Sequence, residues 1–122
     1  MTTKGRRQAA ERHGHRAERQ AALLLHLKGF RLEARRYRSP VGEVDIIARR
    51  AELLVAVEVK ARGGLASAAH AIDKRQEAPI ARATDRFLAA NGSYSHHRIQ
   101  FDATLVALGK LPRHIPDAWR ME

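Results

Sequence analysis

Gly42-Glu43-Val44-Asp45-Ile46-Ile47-Ala48 and, a few residues later, Val55-Ala56-Val57-Glu58-Val59-Lys60-Ala61-Arg62 place acids inside two otherwise apolar, β-branched runs. Val and Ile favour strands, whereas Asp and Glu are depleted in them. Gly42 to Ala48 and Leu53 to Lys60 are separated by little chain, which predicts an antiparallel hairpin. The connection, Arg49 to Glu52, has no glycine for a type I′ loop. Side chains alternate along a strand, so Glu43 shares a face with Asp45 and Glu58 with Lys60, each pair about 6.7 Å apart. A two-residue loop at Arg50-Ala51 would set Glu43 opposite Glu58 with Asp45 diagonal to it. Four ionisable groups are then expected to converge.

Carboxylates that close repel one another, and at least one should take up a proton or bind a cation. Magnesium answers that need with hard oxygen ligands, usually one or two carboxylates completed by waters and substrate phosphate. Lys60 beside them can steady developing charge and position an attacking water. A salt-bridged sheet edge, with Lys60 and nearby arginines neutralising the acids, satisfies the same spacing. Spacing alone does not choose between them.

Outward from the hairpin, Phe30 to Tyr37 reads as a strand that Ser39-Pro40 breaks. Before it, Ala9 to Lys28 carries apolar residues at three- and four-residue steps with Gly29 as a stop, which predicts a helix. Glu18 borders the apolar face of that helix, with Ala21, Ala22 and Leu25 following at helical spacing. After the hairpin, residues 63 to 71 are small and loop-like. Asp73 to Ala90 forms a second helix through Ile80, Ala83, Phe87 and Leu88, Asn91-Gly92 ends it, and Ile99 to Leu108 is a further strand. A strand, helix, strand order implies a right-handed crossover and a parallel pair. The expected fold is α/β, a mixed central sheet flanked by helices. It forms a single domain over residues 9–122, preceded by a loose basic arm at residues 1–8.

The 122 residues suffice for one core, and 44% apolar composition argues against wholesale disorder. Cysteine is absent, so any metal must use oxygen or histidine ligands. The run Ala21 to Leu25 is cut by His26 and Lys28, far short of the roughly 20 apolar residues of a membrane helix. A soluble, cytoplasmic protein without membrane partners is expected. The formal charge of +10 is uneven: residues 1–40 hold 11 Lys or Arg against three acids, the remainder 12 against ten. Such a basic half attracts polyanions, of which nucleic acid is the commonest. Arg6, Arg7, Arg35, Arg36, Arg38 and Arg62 are the candidate phosphate contacts.

The quoted residues resemble the core of the YraN family of bacterial proteins, whose pattern is GEIDLIA followed by VFVEVKxR. The resemblance covers nearly the whole chain, with Gly14, Glu18, Leu27, Gly29, Phe30 and Tyr37 fitting its first helix and strand. Ile80, Phe87, Leu88 and Phe101-Asp102 fit its second half. That family is similar to archaeal Holliday-junction resolvases and to the restriction-endonuclease-like PD-(D/E)xK superfamily, with its α-β-β-β-α-β core. The resemblance implies that Asp45 and Glu58 bind Mg²⁺ or Mn²⁺ and that Lys60 serves the attacking water. It makes Glu18 the first-helix glutamate some resolvases bring to the metal, and Glu43 an extra acid, a second ligand or a clamp on Lys60. Ala17 stands where the family usually has glycine, Arg36 where asparagine is common and Ala56 where an aromatic is usual. The family's Lys-Gln pair falls on Gln76-Glu77, leaving Gln76 as the weakest site candidate.

The function expected is therefore metal-dependent hydrolysis of phosphodiester bonds in DNA or RNA, branched or structured substrates included, with DNA ahead of RNA and a 5′-phosphate product implied. The alternative is a catalytically inactive nucleic-acid-binding or assembly module of the same fold. The oligomeric state is open, a homodimer included. His13, His15, His96 and His97 lack helical ligand spacing and read as surface residues. Trp119 reads as a packing anchor.

Overall fold

The computed structural model describes residues 3–61, 74–107 and 109–121, the side chains of residues 3–14 excepted. The expected loop over residues 63–71 lies outside the described residues. Helix α1 (Thr3–Leu27) leads into β1 (Arg31–Ser39), β2 (Gly42–Arg50) and β3 (Leu53–Ala61). Helix α2 (Lys74–Ala90) follows, then a 3₁₀ turn (Gly92–Tyr94), β4 (Arg98–Val106) and β5 (Arg113–Trp119). The five strands form one mixed sheet in the order β1-β2-β3-β4-β5. Among the described strands only the β3–β4 pair is parallel, as the intervening helix predicts. The α-β-β-β-α-β order of the restriction-endonuclease-like fold is present, with β5 appended.

The helices cover opposite faces. Val55 and Val57 of β3 pack with Ala21, Ala22 and Leu25 of α1, whereas the alternating Leu54 and Ala56 pack with Ile80, Ala83 and Phe87 of α2. This is why β3 reads as a near-continuous apolar run: both of its faces are buried. Helix α1 stops at Gly29, whose φ of 91° suits glycine. The Phe30 amide reaches back to the Leu25 carbonyl at 2.9 Å and the Gly29 amide to His26 at 3.0 Å, a Schellman closure. At its other end α1 begins at Thr3, so the arm expected over residues 1–8 is helical from Thr3 onward. Lys, Arg and Gln are good helix formers there, but without apolar periodicity they gave no signal.

The hairpin turns one residue later than expected. Arg50 pairs with Leu53, Ala48 with Val55 and Ile46 with Val57, so the loop is Ala51-Glu52 instead of Arg50-Ala51. Ala51 accepts a left-handed φ of 53° to close it. Every partner consequently moves by two residues, which preserves the faces but carries Asp45, not Glu43, to the level of Glu58. Where β1 turns into β2, a β-carbon on Gly42 would collide with the carbonyl of Pro79, so glycine lets α2 sit against that turn. Strand β5 carries no sequence signal because Pro112 immediately precedes it and Pro116 interrupts it. It is an edge strand, where a missing amide is tolerated.

Candidate active site

Asp45 sits where β1 and β2 both bend. It lies across from Arg36, between the pairs Arg35–Ile46 and Tyr37–Val44. In a regular strand Val44 and Ile46 would share a face, yet Val44 packs on the α2 side and Ile46 on the α1 side. The partner strand bends too, since Ala34 and Tyr37, three residues apart, both pack on the α2 side. Arg36 provides the bend with a φ of 52°, a conformation asparagine adopts with less strain. Asparagine is the residue that the YraN pattern often has there.

The bend sends the Asp45 side chain into the gap between β2 and β3. Its Oδ2 accepts a hydrogen bond from the Val59 amide at 2.8 Å, beyond the last backbone pair, Ile46–Val57. That bond places the Asp45 carboxyl beside Glu58, and the charge of Asp45 bears on the Glu58 carboxyl. Lys60 Nζ stands 3.6 Å from Glu58 Oε1, an ion-pair distance too long for a hydrogen bond. Burial, and then the charge of Asp45, push the Glu58 carboxyl up to about 8. Burial also raises Asp45, against the pull of the Val59 amide, and the charge of Glu18 pushes the same way. Two acids, both raised, therefore stand together with one lysine beside them.

Glu18 reaches toward this point from α1. Its Oε2 accepts from Arg36 Nε at 2.7 Å, while Oε1 is buried with no hydrogen-bond partner among the described residues. Glu18, Glu43, Asp45, Arg36, Arg38 and Val59 line an open cavity of about 260 Å³. Glu58 and Lys60 are not on its wall and join the group through their contacts with Asp45 and with each other.

The expected convergence of four groups thus reduces to three, Asp45, Glu58 and Lys60, with Glu18 adjacent. Glu43 does not clamp Lys60: its side chain is 64% exposed and lies 3.6 Å from Arg38. The two-residue shift of the hairpin is the reason. Gln76 lies in the first turns of α2 with its Oε1 buried and without a partner among the described residues. The side chains of Arg6, Arg7 and His13, and the whole of Arg62, lie outside the described residues. Arg36 and Arg38 are tied to Glu18 and Glu43, while Arg35 is exposed. Among the described residues no three or more His, Asp or Glu form a ready-made metal cluster. The two-carboxylate set nevertheless fits a magnesium-type ion, which keeps waters in its remaining positions. The unbonded Glu18 oxygen is a further hard donor on the same cavity.

Comparison with known proteins agrees with the resemblance. Residues 17–106 match the profile described as "Uncharacterised protein family UPF0102". The chain belongs to the UPF0102 family, the YraN family. A UPF0102 protein of Rhodopseudomonas palustris strain BisB18 is 47% identical over 93% of this chain and 84% of its own. One from Nitrobacter winogradskyi is 46% identical over 93% of this chain and 96% of its own, and one from Bradyrhizobium diazoefficiens 48% over 89% and 82%. All the carboxylates discussed lie within the matched UPF0102 region, as does Asp102. No helix among the described residues is long and apolar enough to cross a membrane.

A second ionic group was not anticipated. Asp102 of β4 is fully buried and accepts from Gln100 Nε2 at 2.9 Å, from the Asp117 amide at 2.9 Å and from His114 Nε2 at 2.6 Å. Lys28 Nζ contacts His114 Nδ1 at 2.7 Å; an ammonium only donates, so Nε2 carries the proton that His114 gives to Asp102. An acid in the apolar strand Ile99 to Leu108 was the available signal. Its partner His114 was hidden because β5 was. Trp119, as expected, is a packing residue, 8% exposed and stacked on Phe101 at 4.2 Å.

Proposed function

We propose that this UPF0102 protein is a divalent-metal-dependent nuclease whose site is Asp45, Glu58 and Lys60. The observation that carries the reading is that Asp45, held by the Val59 amide, stands beside Glu58 and Lys60, two partly buried carboxyls with one lysine, at a bend that the β1–β2 ladder is built to make. Asp45 has the Val59 amide and Glu58 has Lys60 at ion-pair distance, yet both acids stay raised, so a divalent cation would relieve them where one lysine does not. Asp45 and Glu58 would hold Mg²⁺ or Mn²⁺, with the free oxygen of Glu18 within the same cavity. When bound, the ion supplies Lewis-acid polarisation of a phosphoryl oxygen and a lowered water pKa. Lys60 places a positive charge where charge develops during in-line displacement, and the Asp45 carboxylate is held in orientation by the Val59 amide. The phosphodiester is the substrate class, with DNA favoured.

Flaps, junctions, single strands and duplexes incubated with the purified protein and manganese test this. Asp45→Ala and Glu58→Ala should abolish cleavage, and Lys60→Ala should slow it by about 100-fold or more. Cleavage that persists unchanged in these variants would show that the site lies elsewhere. The absence of a three-residue metal cluster among the described residues favours the second reading, a nucleic-acid-binding module without turnover. It predicts salt-sensitive binding that no divalent ion strengthens.

A further inference from the structure

A second cavity, of about 400 Å³, abuts the carboxylate cavity and shares His15 and Arg36 with it. Its other walls are Arg16 and Arg19 of α1 and Arg35 of β1. No acid pairs with Arg16, Arg19 or Arg35 among the described residues, whereas Arg36 and Arg38, lining the carboxylate cavity, are both paired. Arg16 and Arg19 stand three apart, so one face of α1 presents both. Three unpaired guanidinium groups around one concavity repel one another and are relieved by an anion. Planar forks of donors suit the oxygens of a phosphate. The continuity of the seat with the carboxylate cavity, through His15 and Arg36, favours a strand running from one cavity to the other over a flat anionic membrane.

We infer that Arg16, Arg19 and Arg35 seat a backbone phosphate of the bound nucleic-acid strand, next to the phosphodiester held at Asp45 and Glu58. The inference rests on the hydrolase reading for which phosphate is cut, but not for the seat itself. Arg36 is the shared wall. Its bond to Glu18 keeps it at the boundary, so the strand passes from a basic to an acidic chamber over one residue. The seat sets how the strand is placed, and a substrate too small to span both cavities should be indifferent to it.

The test compares Arg16→Ala/Arg19→Ala and Arg35→Ala with Arg82→Ala/Arg86→Ala, a control that removes two exposed charges from α2 on the opposite face. Binding of a fluorescein-labelled DNA duplex is measured in calcium at several salt concentrations. The seat variants should bind about tenfold more weakly, with the salt slope reduced by about one, and the control should bind nearly as wild type. Hydrolysis of bis(p-nitrophenyl) phosphate with manganese should stay within about twofold of wild type in every variant, while KM for DNA rises in the seat variants alone. Equal weakening in the control, or seat variants that bind as wild type, overturns the seat. So does weakened binding to anionic vesicles with DNA binding intact, which would make it a membrane contact. If wild type cleaves neither substrate, the hydrolase reading fails, and the binding arm alone still decides the seat.

Discussion

Asp102 and Asp45 are both acids inside sheet strands, yet their surroundings differ in kind. Asp102 is fully buried and every neighbour gives it a proton to accept: the Gln100 amide, the Asp117 backbone and the imidazole of His114, itself braced by Lys28. Asp45 receives one backbone amide and otherwise faces Glu58, with the charge of Glu18 pushing against it. Asp102 is sealed from solvent among donors, whereas Asp45 and Glu58 are partly exposed and stand together as two acids. The Asp102 group is finished and ties α1 to β4 and β5. The Asp45 group sets two acids against one lysine, a balance that a further cation would improve.

The largest effect that can break this contrast is on Asp102. Asp102→Ala strands the Asp117 amide and the imidazole in the interior, and should cost about 3 to 5 kcal/mol in chemical denaturation. A loss no greater than a surface substitution would remove its role as scaffold. Next comes pH. The Glu58 carboxyl rises from an ordinary 4.5 to about 8 in the metal-free fold. A raised acid stabilises the fold fully below its unfolded pKa, and that contribution is lost as pH climbs from 4.5 through 8. Metal-free wild type should therefore lose stability with rising pH across this window, by at most about 1.4 kcal/mol per unit. Glu58→Gln should flatten the dependence in thermal melts at stepped pH. An equal slope in both proteins would place the titration elsewhere.

A smaller effect is expected at Asp45. Asparagine can still accept from the Val59 amide while removing a repelling charge, so Asp45→Asn should change metal-free stability by less than about 1 kcal/mol. A loss of several kcal/mol would make Asp45 a scaffold acid like Asp102. Least of all should follow from Arg38→Ala, since its pair with Glu43 is exposed and loose. A change above about 0.5 kcal/mol would show Glu43 to be better integrated than its exposure indicates.

The hairpin acids were legible because they violate the apolar pattern of their strands, and the parallel β3–β4 pair because a helix lies between them. The register was not. A shift of two residues leaves every side chain on its original face, so apolar alternation cannot distinguish Glu43 from Asp45 as the residue level with Glu58. Only the turn decides, and Ala51 at a φ of 53° does not advertise itself as a glycine would. Arg36 and Asp117 adopt the same left-handed backbone, at 52° each, one bending β1 toward the site and the other delivering its amide to Asp102. Such bends depend on tertiary packing and are invisible in a strand pattern. The basic start of α1 and the proline-broken β5 were missed for want of periodicity, and with β5 went the partner of Asp102.

Manganese titration by calorimetry, at pH 7 in two buffers of different ionisation enthalpy, addresses the metal site directly. Wild type should bind one ion or two and release close to one proton, because the ion displaces the proton that the raised Glu58 carboxyl holds at pH 7. Asp45→Asn and Glu58→Gln should lose both the binding and the proton release, while Arg38→Ala keeps them. Binding of equal strength in all four proteins, or no uptake by wild type, would contradict the assignment of these carboxyls as a metal site.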